Sequence, residues 1–420
     1  MKSMTGIKYF FTKTPGLGGR IKLRYADFIV EEIIEDRICE VKRFICKNPR
    51  AEKLIIPQKE PDKEYLHLDL EKINKDLHDA IRYIARFLHC SRSRISYAGI
   101  KDKRAITCQR ISIWNPNIEL LQKFRAKGIV LRNAAWSDKK IDLGDLKGNR
   151  FTVTIRNIAL GKEEIEKILQ KCFKELEKGI ANYFGEQRFG GIRNISHLVG
   201  KEIIKENYKS AVMLYLSTTA CEEELETKKA RELAAKGKFK DALRTFPAKY
   251  RYEKAMLHHL IENEGDFIGA LRKLPRKILF LFTHAYQAYL FNELINKRVE
   301  HGIGLKAVEN EPAEDGIPLG LLPGYDSKFS PGIVGQLERE LLKEHNITFA
   351  DFKVRKLGEC SSAGSRRKIV MKPKNMRVLE IGKDEFFAGK RFCKIRFELD
   401  KGCYATVLLR EIMKKEDLYS

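Results

Sequence analysis

EYLHLDLEKINKDLHDAIRYIARFLHCSRSRISYAGIKDKRAITCQRISIW, residues 64–114, is the stretch that decides the fold class of the chain. The leucines of EYLHLDL alternate with polar residues, which predicts a strand with one buried face. A cap at Asn74 or Asp76 and apolar residues at helical spacing predict a helix over residues 77–88. Residues 106–113 alternate again. The stretch therefore predicts strands and helices that follow one another closely.

This pattern changes along the rest of the chain. Residues 151–155 alternate like a strand, and residues 163–177 form a Lys- and Glu-rich amphipathic pattern typical of a helix. Residues 202–300 are almost entirely helix-forming, whereas residues 301–375 are richer in Gly and Pro and look dominated by loops. Strand alternation returns over residues 390–409. Strands at both ends of a helical middle predict an α+β fold interrupted by an inserted helical domain.

Charge gives the first indication of function. The 420 residues contain 81 Lys and Arg against 57 Asp and Glu, a net charge of +24. Such an excess favours a polyanionic partner, and nucleic acid in particular. A basic peripheral membrane protein is the rival class, but we find neither a basic amphipathic helix nor a lipidation motif.

The sequence also argues against several other classes of protein. The longest nearly apolar stretch, residues 278–291, is too short to cross a bilayer, and the first residues lack the pattern of a secretory signal, so we expect an intracellular protein. The nine cysteines include no CxxC pair, and there is no HExxH, so we expect neither a disulfide framework nor a metal site. The dinucleotide and P-loop motifs are missing as well, so no cofactor is expected.

AGIKDKRAITCQ, residues 98–109, carries the first candidate catalytic group. Asp102 lies between Lys101 and Lys103 in a short loop ahead of a strand. A carboxylate among cations suits a nucleophile or an electrostatic role better than a general acid. A solvated, lysine-rich turn is the alternative interpretation.

NYFGEQRFGG, residues 182–191, combines aromatic rings with amides, an arginine and glycines. Flat apolar faces beside hydrogen-bonding groups can hold an unstacked base, and glycines allow close approach of the backbone. The alternative is an aromatic turn packed beneath a helix.

RIKLRYADFIVEE (20–32) and DKGCYATVLLREI (400–412) each place an aromatic residue, Phe28 or Tyr404, at the start of a predicted strand. Lys22 lies six positions before Phe28. Taken alone, residues in such positions belong to the core more often than to a site.

Together these strings resemble the TruD family of tRNA pseudouridine synthases. The resemblance rests on GIKDKRAITCQ, LGDLKGNRFTVTIR (143–156), NYFGEQRFG, HAYQAYLFN (284–292) and CYATVLLRE, in the order of the family and over nearly the whole chain. It implies a pseudouridine synthase catalytic domain with a mixed or antiparallel sheet. The catalytic domain would comprise residues 1–204 and 376–420, and the mainly helical insertion residues 205–375, a length similar to that of archaeal and eukaryotic members.

The resemblance also assigns roles to individual residues. It implies that Asp102 is the catalytic aspartate and that Lys22 is its countercharge. The two lysines beside Asp102 are expected to meet phosphate. The residues expected to bind the substrate are Lys22, Phe28, Asn182, Phe184 and Tyr404, the last of which stands where bacterial members often have phenylalanine.

The activity implied by the resemblance is the isomerisation of uridine to pseudouridine, at position 13 of tRNA, by a cytoplasmic enzyme that uses no metal and no small-molecule cofactor. The expected partner is tRNA, not DNA or a membrane. A catalytically silent RNA-binding or RNA-chaperone protein on the same fold is the alternative. The presence of Asp102 favours the enzyme, because an acid in a phosphate-binding loop weakens RNA binding unless it has another task.

Overall fold

The computed structural model describes residues 5–35, 37–46, 54–191, 193–220 and 222–419. Within these residues the chain forms two compact units. We call residues 10–179 with 371–419 the sheet unit, and residues 5–9 with 180–370 the helical unit.

Helices and strands are numbered along the whole chain. The sheet unit contains β1 (Phe28–Ile34), β2 (Arg37–Ile38), β3 (Tyr65–Ile73), α1 (Leu77–Phe87), β4 (Ile95–Tyr97), β5 (Ile106–Trp114), α2 (Ile118–Lys123), β6 (Ile129–Ser137), β7 (Gly148–Ile158), α3 (Lys162–Leu176), β13 (Lys374–Lys383), β14 (Arg391–Asp400) and α12 (Ala405–Met413). The helical unit contains β8 (Ile180–Ala181), α4 (Ser196–Ile204), α5 (Tyr208–Ser217), α6 (Leu225–Ala235), α7 (Phe239–Thr245), α8 (Arg251–Glu262), α9 (Phe267–Arg272), α10 (Arg276–Glu300), β9 (Ala313–Glu314), β10 (Ile317–Leu322), α11 (Gly332–Glu344) and β11 (Ser365–Lys368), and β12 (Val370–Met371) follows at its end.

One mixed sheet organises the sheet unit. Its strands follow the order β13, β14, β7, β1, β5, β3, β6, with β2 paired to β1 and β4 paired to β5. Strands β1 and β5 run parallel, while the other neighbours along this path are antiparallel. The predicted α+β architecture with a mixed sheet is confirmed.

Strand β3 and helix α1 form where the sequence predicts them, but β3 is not buried on one face alone, because Asp69 and Glu71 on its other face are also buried. Leu66, Leu68 and Leu70 are buried on one face of β3, and they pack in one cluster with Ile81 and Ile84 of α1. The carboxylate of Asp76 caps α1 by accepting hydrogen bonds from the backbone amides of its first turn. Strand β3 ends at Ile73, shortly before this cap.

The 25-residue helix α10 runs through the core of the helical unit. Helix α4 crosses it closely at Gly200, where a Cβ atom would lie 2.0 Å from the carbonyl oxygen of Phe282. Val199 and Ile203 of α4 belong to the same buried cluster as Phe282 and Tyr286 of α10. Residues 180–204 are therefore part of the helical unit in this structure. The compact units divide at 179/180 and 370/371, whereas the family insertion was expected to span 205–375.

Two local expectations from the sequence are wrong. The strand predicted over 390–409 ends at Asp400, and helix α12 follows, so Tyr404 precedes a helix and not a strand. Gly402, with a φ of 84°, turns the chain between these two elements. Helix α11 lies in the region that was expected to be dominated by loops. In the part of the chain that the structure describes, no helix is long and apolar enough to span a membrane.

Candidate active site

The loop that joins β4 to β5 carries Asp102. Backbone bonds fix both ends of this loop, because Gly144 donates to the carbonyl of Ala98 (2.8 Å) and Asn74 donates to that of Ala105 (3.1 Å). The buried side chain of Gln109 also donates to the carbonyl of Gly99, at 2.8 Å. Asp102 itself keeps 30% of its side chain exposed. The loop is thus held firmly while its carboxylate remains accessible.

Lys22 forms the expected ion pair with this carboxylate. The distance from Lys22 Nζ to Asp102 Oδ2 is 3.0 Å, and the lysine side chain is only 7% exposed. The backbone of Lys22 has a φ of 57°, a left-handed conformation that costs energy for a residue with a Cβ atom. Flanking backbone bonds from Ile21 to Leu418 and between Arg20 and Arg156 hold this segment in place. A strained conformation that points a lysine at an aspartate is typical of a functional site.

The ring of Phe28 lies beneath the ammonium of Lys22, with 4.1 Å from Nζ to the ring centroid. Phe28 is almost fully buried and makes an edge contact with Phe151. Tyr419 faces the same ammonium at 6.0 Å, and sequence reasoning missed it because nothing near the end of the chain pointed to it. The structure therefore brings Lys22, Phe28 and Asp102 together. Both rings can stabilise the lysine as a cation.

Lys101 does not meet the expectation that both lysines beside Asp102 face phosphate. Its side chain is buried and forms an ion pair with Glu32, with 2.5 Å between Nζ and Oε2. Glu32 also accepts a hydrogen bond from the backbone amide of Arg110, at 3.0 Å. A carboxylate that faces inward from strand β1 requires a buried cation, and Lys101 supplies it. Lys103, one residue beyond Asp102, is exposed as expected.

Lys72, the last residue but one of β3, is a second residue that sequence reasoning missed. Its Nζ donates to the carbonyl oxygen of Asp102 at 2.8 Å. A signal was available, because Lys72 continues the alternating row of the buried leucines of β3 and so occupies an inward position.

The aromatic string NYFGEQRFGG lies in the helical unit, supported by α10. The side chain of Asn292 accepts a hydrogen bond from the backbone amide of Phe184 (2.8 Å) and donates to its carbonyl (3.1 Å). The ring of Phe291 meets that of Phe184 edge to face, with 5.4 Å between the centroids. The segment HAYQAYLFN (284–292) thus holds Phe184 in place through its last two residues.

Arg367 of β11 binds both of the predicted substrate residues in the helical unit. Its guanidinium donates to Oδ1 of Asn182 at 2.7 Å and stacks on the ring of Phe184 at 4.0 Å. Asn182 also donates from Nδ2 to the carbonyl of Lys368, at 2.9 Å. Both Asn182 and Phe184 are buried. Sequence reasoning missed Arg367, since nothing distinguished it within a run of basic residues.

Tyr404 lies in the sheet unit, at the residue before α12, where its carbonyl accepts from the first turn of that helix. Its contact with a substrate stays a prediction, as do the substrate roles of Phe28, Asn182 and Phe184. The geometry brings Lys22, Phe28 and Asp102 together in the sheet unit. Asn182 and Phe184 meet at Arg367 in the helical unit.

Comparisons with known proteins agree on one family. The family model for tRNA pseudouridine synthase D (TruD) matches residues 4–314 and 309–412. A protein of Methanosarcina acetivorans named "Probable tRNA pseudouridine synthase D" is 36% identical, and the alignment covers 100% of this chain and 98% of that protein. A relative in Methanocaldococcus jannaschii, "Probable tRNA pseudouridine synthase D 1", is 39% identical over 95% of this chain and 96% of its own.

A crystal structure from Methanosarcina mazei, of a candidate tRNA pseudouridine synthase D (TruD), has a TM-score of 0.76 and is 36% identical over 98% of this chain and 97% of that chain. The match of the family model and the matches to the relatives extend over nearly the whole sequence. The chain therefore belongs to the tRNA pseudouridine synthase D family.

Proposed function

We propose that the protein is a tRNA pseudouridine synthase, an isomerase that converts a uridine of tRNA to pseudouridine. The observation that carries the proposal is the carboxylate of Asp102, partly exposed on a fixed loop and paired at 3.0 Å with the buried Lys22. The reaction breaks the bond from N1 of uracil to C1′ of ribose and forms a bond from C5 to C1′. C5 loses a proton and N1 gains one, so that no electrons are exchanged with a redox partner.

In this proposal Asp102 acts on the reacting nucleotide, either by attack on it or by stabilising the charge that develops. Lys22 balances the charge of the carboxylate and fixes its orientation. The loop anchors at Gly99 and Ala105 keep the carboxylate in place, which contributes to rate because catalytic groups must be held in position for reaction.

The uridine has to leave the base stack to reach Asp102, as in other enzymes that modify a base. We propose that Phe28, Asn182, Phe184 and Tyr404 bind the extruded nucleotide. Asn182 offers an amide whose orientation Arg367 fixes, and amides can read the edge of an unpaired base. The exposed Lys103 beside Asp102 provides a contact for phosphate.

We further propose that the target is position 13 of tRNA, that the reaction uses neither a metal nor a small-molecule cofactor, and that the protein acts in the cytoplasm without binding DNA or a membrane. The charge of +24 supports binding to a polyanion. Membership of the family supports the target position and a reaction without a metal or small-molecule cofactor. The cytoplasmic location of tRNA supports action in the cytoplasm.

The test is to incubate the purified protein with unmodified tRNA transcripts and to map pseudouridine by chemical labelling and primer extension. We expect a single labelled site, at position 13, which disappears when that uridine is replaced by cytidine. Modification at another site would refute the assignment of the position. Tight binding of tRNA without any modification would instead favour the silent RNA-binding protein.

A further inference from the structure

The row of inward-facing side chains on β3 ends in a charge. Leu66, Leu68 and Leu70 lie in the apolar cluster beneath α1, and Lys72 is the next member of the row. Its side chain is 0% exposed. A buried ammonium is expensive unless it is hydrogen-bonded, so its contacts require an explanation.

Those contacts converge on the backbone of the loop that carries Asp102. Nζ of Lys72 lies 2.8 Å from the carbonyl oxygen of Asp102 and 3.4 Å from that of Lys101. The other anchors of this loop, at Ala98, Gly99 and Ala105, lie to either side. Lys72 is thus bonded to the peptide group of Asp102 itself.

We infer that Lys72 is a positioning residue that holds the peptide of Asp102, and through it the catalytic carboxylate, in the geometry needed for reaction. This inference rests on the proposed function of Asp102. It assigns Lys72 no contact with RNA, since the side chain is fully buried.

The charged groups that face Lys72 are Asp102 and Lys101 from the loop and Asp76 from the turn before α1. Its cross-strand neighbours, Thr107 on β5 and Ile129 on β6, carry no charge. Burial lowers the pKa of Lys72 to about 8, and the two carboxylates only partly oppose this shift. The ammonium is therefore present below pH 8 and is lost as the pH rises through that value.

Loss of the proton weakens the bonds to the two carbonyl oxygens, because charge-assisted hydrogen bonds are about twice as strong as neutral ones. We expect kcat of the parent enzyme to fall as the pH rises through about 8. The stability of the fold should change in the opposite direction. A group whose pKa is lower in the folded than in the unfolded state stabilises the fold as the pH rises above the folded pKa.

The test compares Lys72→Met and Lys72→Arg with the parent over pH 6.5 to about 9.5. Lys72→Met should lower kcat at pH 7 by about tenfold or more, the equivalent of about 1.4 kcal/mol, while Kd for tRNA stays within about twofold. Lys72→Arg keeps a cation at all these pH values, so the decline above pH 8 should be absent. The control is Lys103→Met, which should weaken tRNA binding and keep the decline.

Parent-like kcat in Lys72→Met, or an unchanged alkaline decline in Lys72→Arg, would overturn the inference. If Lys72→Met does not fold, Lys72→Arg alone decides the question through the pH profile. Hydrogen exchange of the amides of residues 98–105 gives a readout that needs no activity. In folded Lys72→Met, we expect exchange to be at least tenfold faster, and unchanged rates would reject positioning even if the parent proves inactive. If only Lys72→Arg folds, the protection of these amides should fall above about pH 8 in the parent but not in that variant, and an equal fall in both would reject positioning.

Discussion

Removing one partner of the buried ion pair between Glu32 and Lys101 should destabilise the sheet unit strongly. The two side chains are 0% and 4% exposed, and their charged atoms lie 2.5 Å apart. Lys101→Met leaves the carboxylate of Glu32 in a site without solvent, and Glu32→Gln leaves the ammonium of Lys101 there. An unpaired buried charge costs about 3–5 kcal/mol, so each single variant should lose roughly that amount of unfolding free energy.

The double variant should be no less stable than either single variant, because it contains no unpaired charge. The side-chain oxygen that Glu32→Gln retains could still accept the hydrogen bond that the amide of Arg110 donates to the parent carboxylate. The coupling energy between the two sites should therefore be several kcal/mol.

Urea unfolding followed by tryptophan fluorescence measures the unfolding free energy of the sheet unit, in which this ion pair lies. The chain has two tryptophans, Trp114 on β5 and Trp136 on β6, and both belong to the sheet unit. Lys374→Met is the matched control, since it breaks a pair with Asp400 in which both side chains are more than half exposed. Its cost should stay within about 1 kcal/mol. Parent-like stability of Lys101→Met, or a double variant whose loss equals the sum of the two single losses, would refute this reasoning.

Three further predictions concern other parts of the molecule. The logarithm of the tRNA association constant should fall linearly with the logarithm of salt concentration, with several ions released, and a flat response in a filter-binding titration would contradict an electrostatic interface. Arg367→Met removes the cation that holds Asn182 and Phe184, and loss of a charged hydrogen bond of about 1.5–3 kcal/mol should lower kcat/KM about tenfold or more. A kcat/KM unchanged from the parent would show that Arg367 is dispensable. Gly200→Ala forces a Cβ atom against the carbonyl of Phe282. Overpacking of this kind costs about 1–3 kcal/mol of unfolding free energy, so the melting temperature should fall. An unchanged melting temperature would contradict the close crossing of α4 and α10.

Local periodicity was sufficient to predict that β3, α1 and β5 form. It did not predict that both faces of the two strands are buried, since polar residues such as Asp69 and Gln109 lie in the interior as well. It misjudged the segment after Asp400, where Val407, Leu408 and Leu409 form a short apolar run that suits a strand or a helix equally. In the structure every residue of α12 except Thr406 is buried, so the burial of this segment does not show a helical spacing either.

The candidate site was less accessible to sequence reasoning, because its contacts join residues that are far apart in the chain. Lys22 and Asp102 were paired through the resemblance to a family, and no local pattern connects them. Arg367 lies 185 residues from Asn182, so composition gave no reason to place it there. Lys101 was wrongly predicted to face phosphate, because residues in a loop do not follow strand alternation. Its side chain points inward to pair with the buried Glu32.

The most direct test of the central claim is the activity of Asp102→Asn. Asparagine keeps the size and the hydrogen-bonding capacity of the side chain but removes the negative charge, on which both proposed roles of Asp102 depend. We expect this variant to fold and to form no more pseudouridine than a reaction without enzyme. Its tRNA affinity should equal or exceed that of the parent, since a negative charge near phosphate has been removed. Asp142→Asn, at a side chain that is 70% exposed in the same unit, should be as active as the parent. An Asp102→Asn variant that forms pseudouridine at the rate of the parent would contradict the assignment of Asp102 as the catalytic residue.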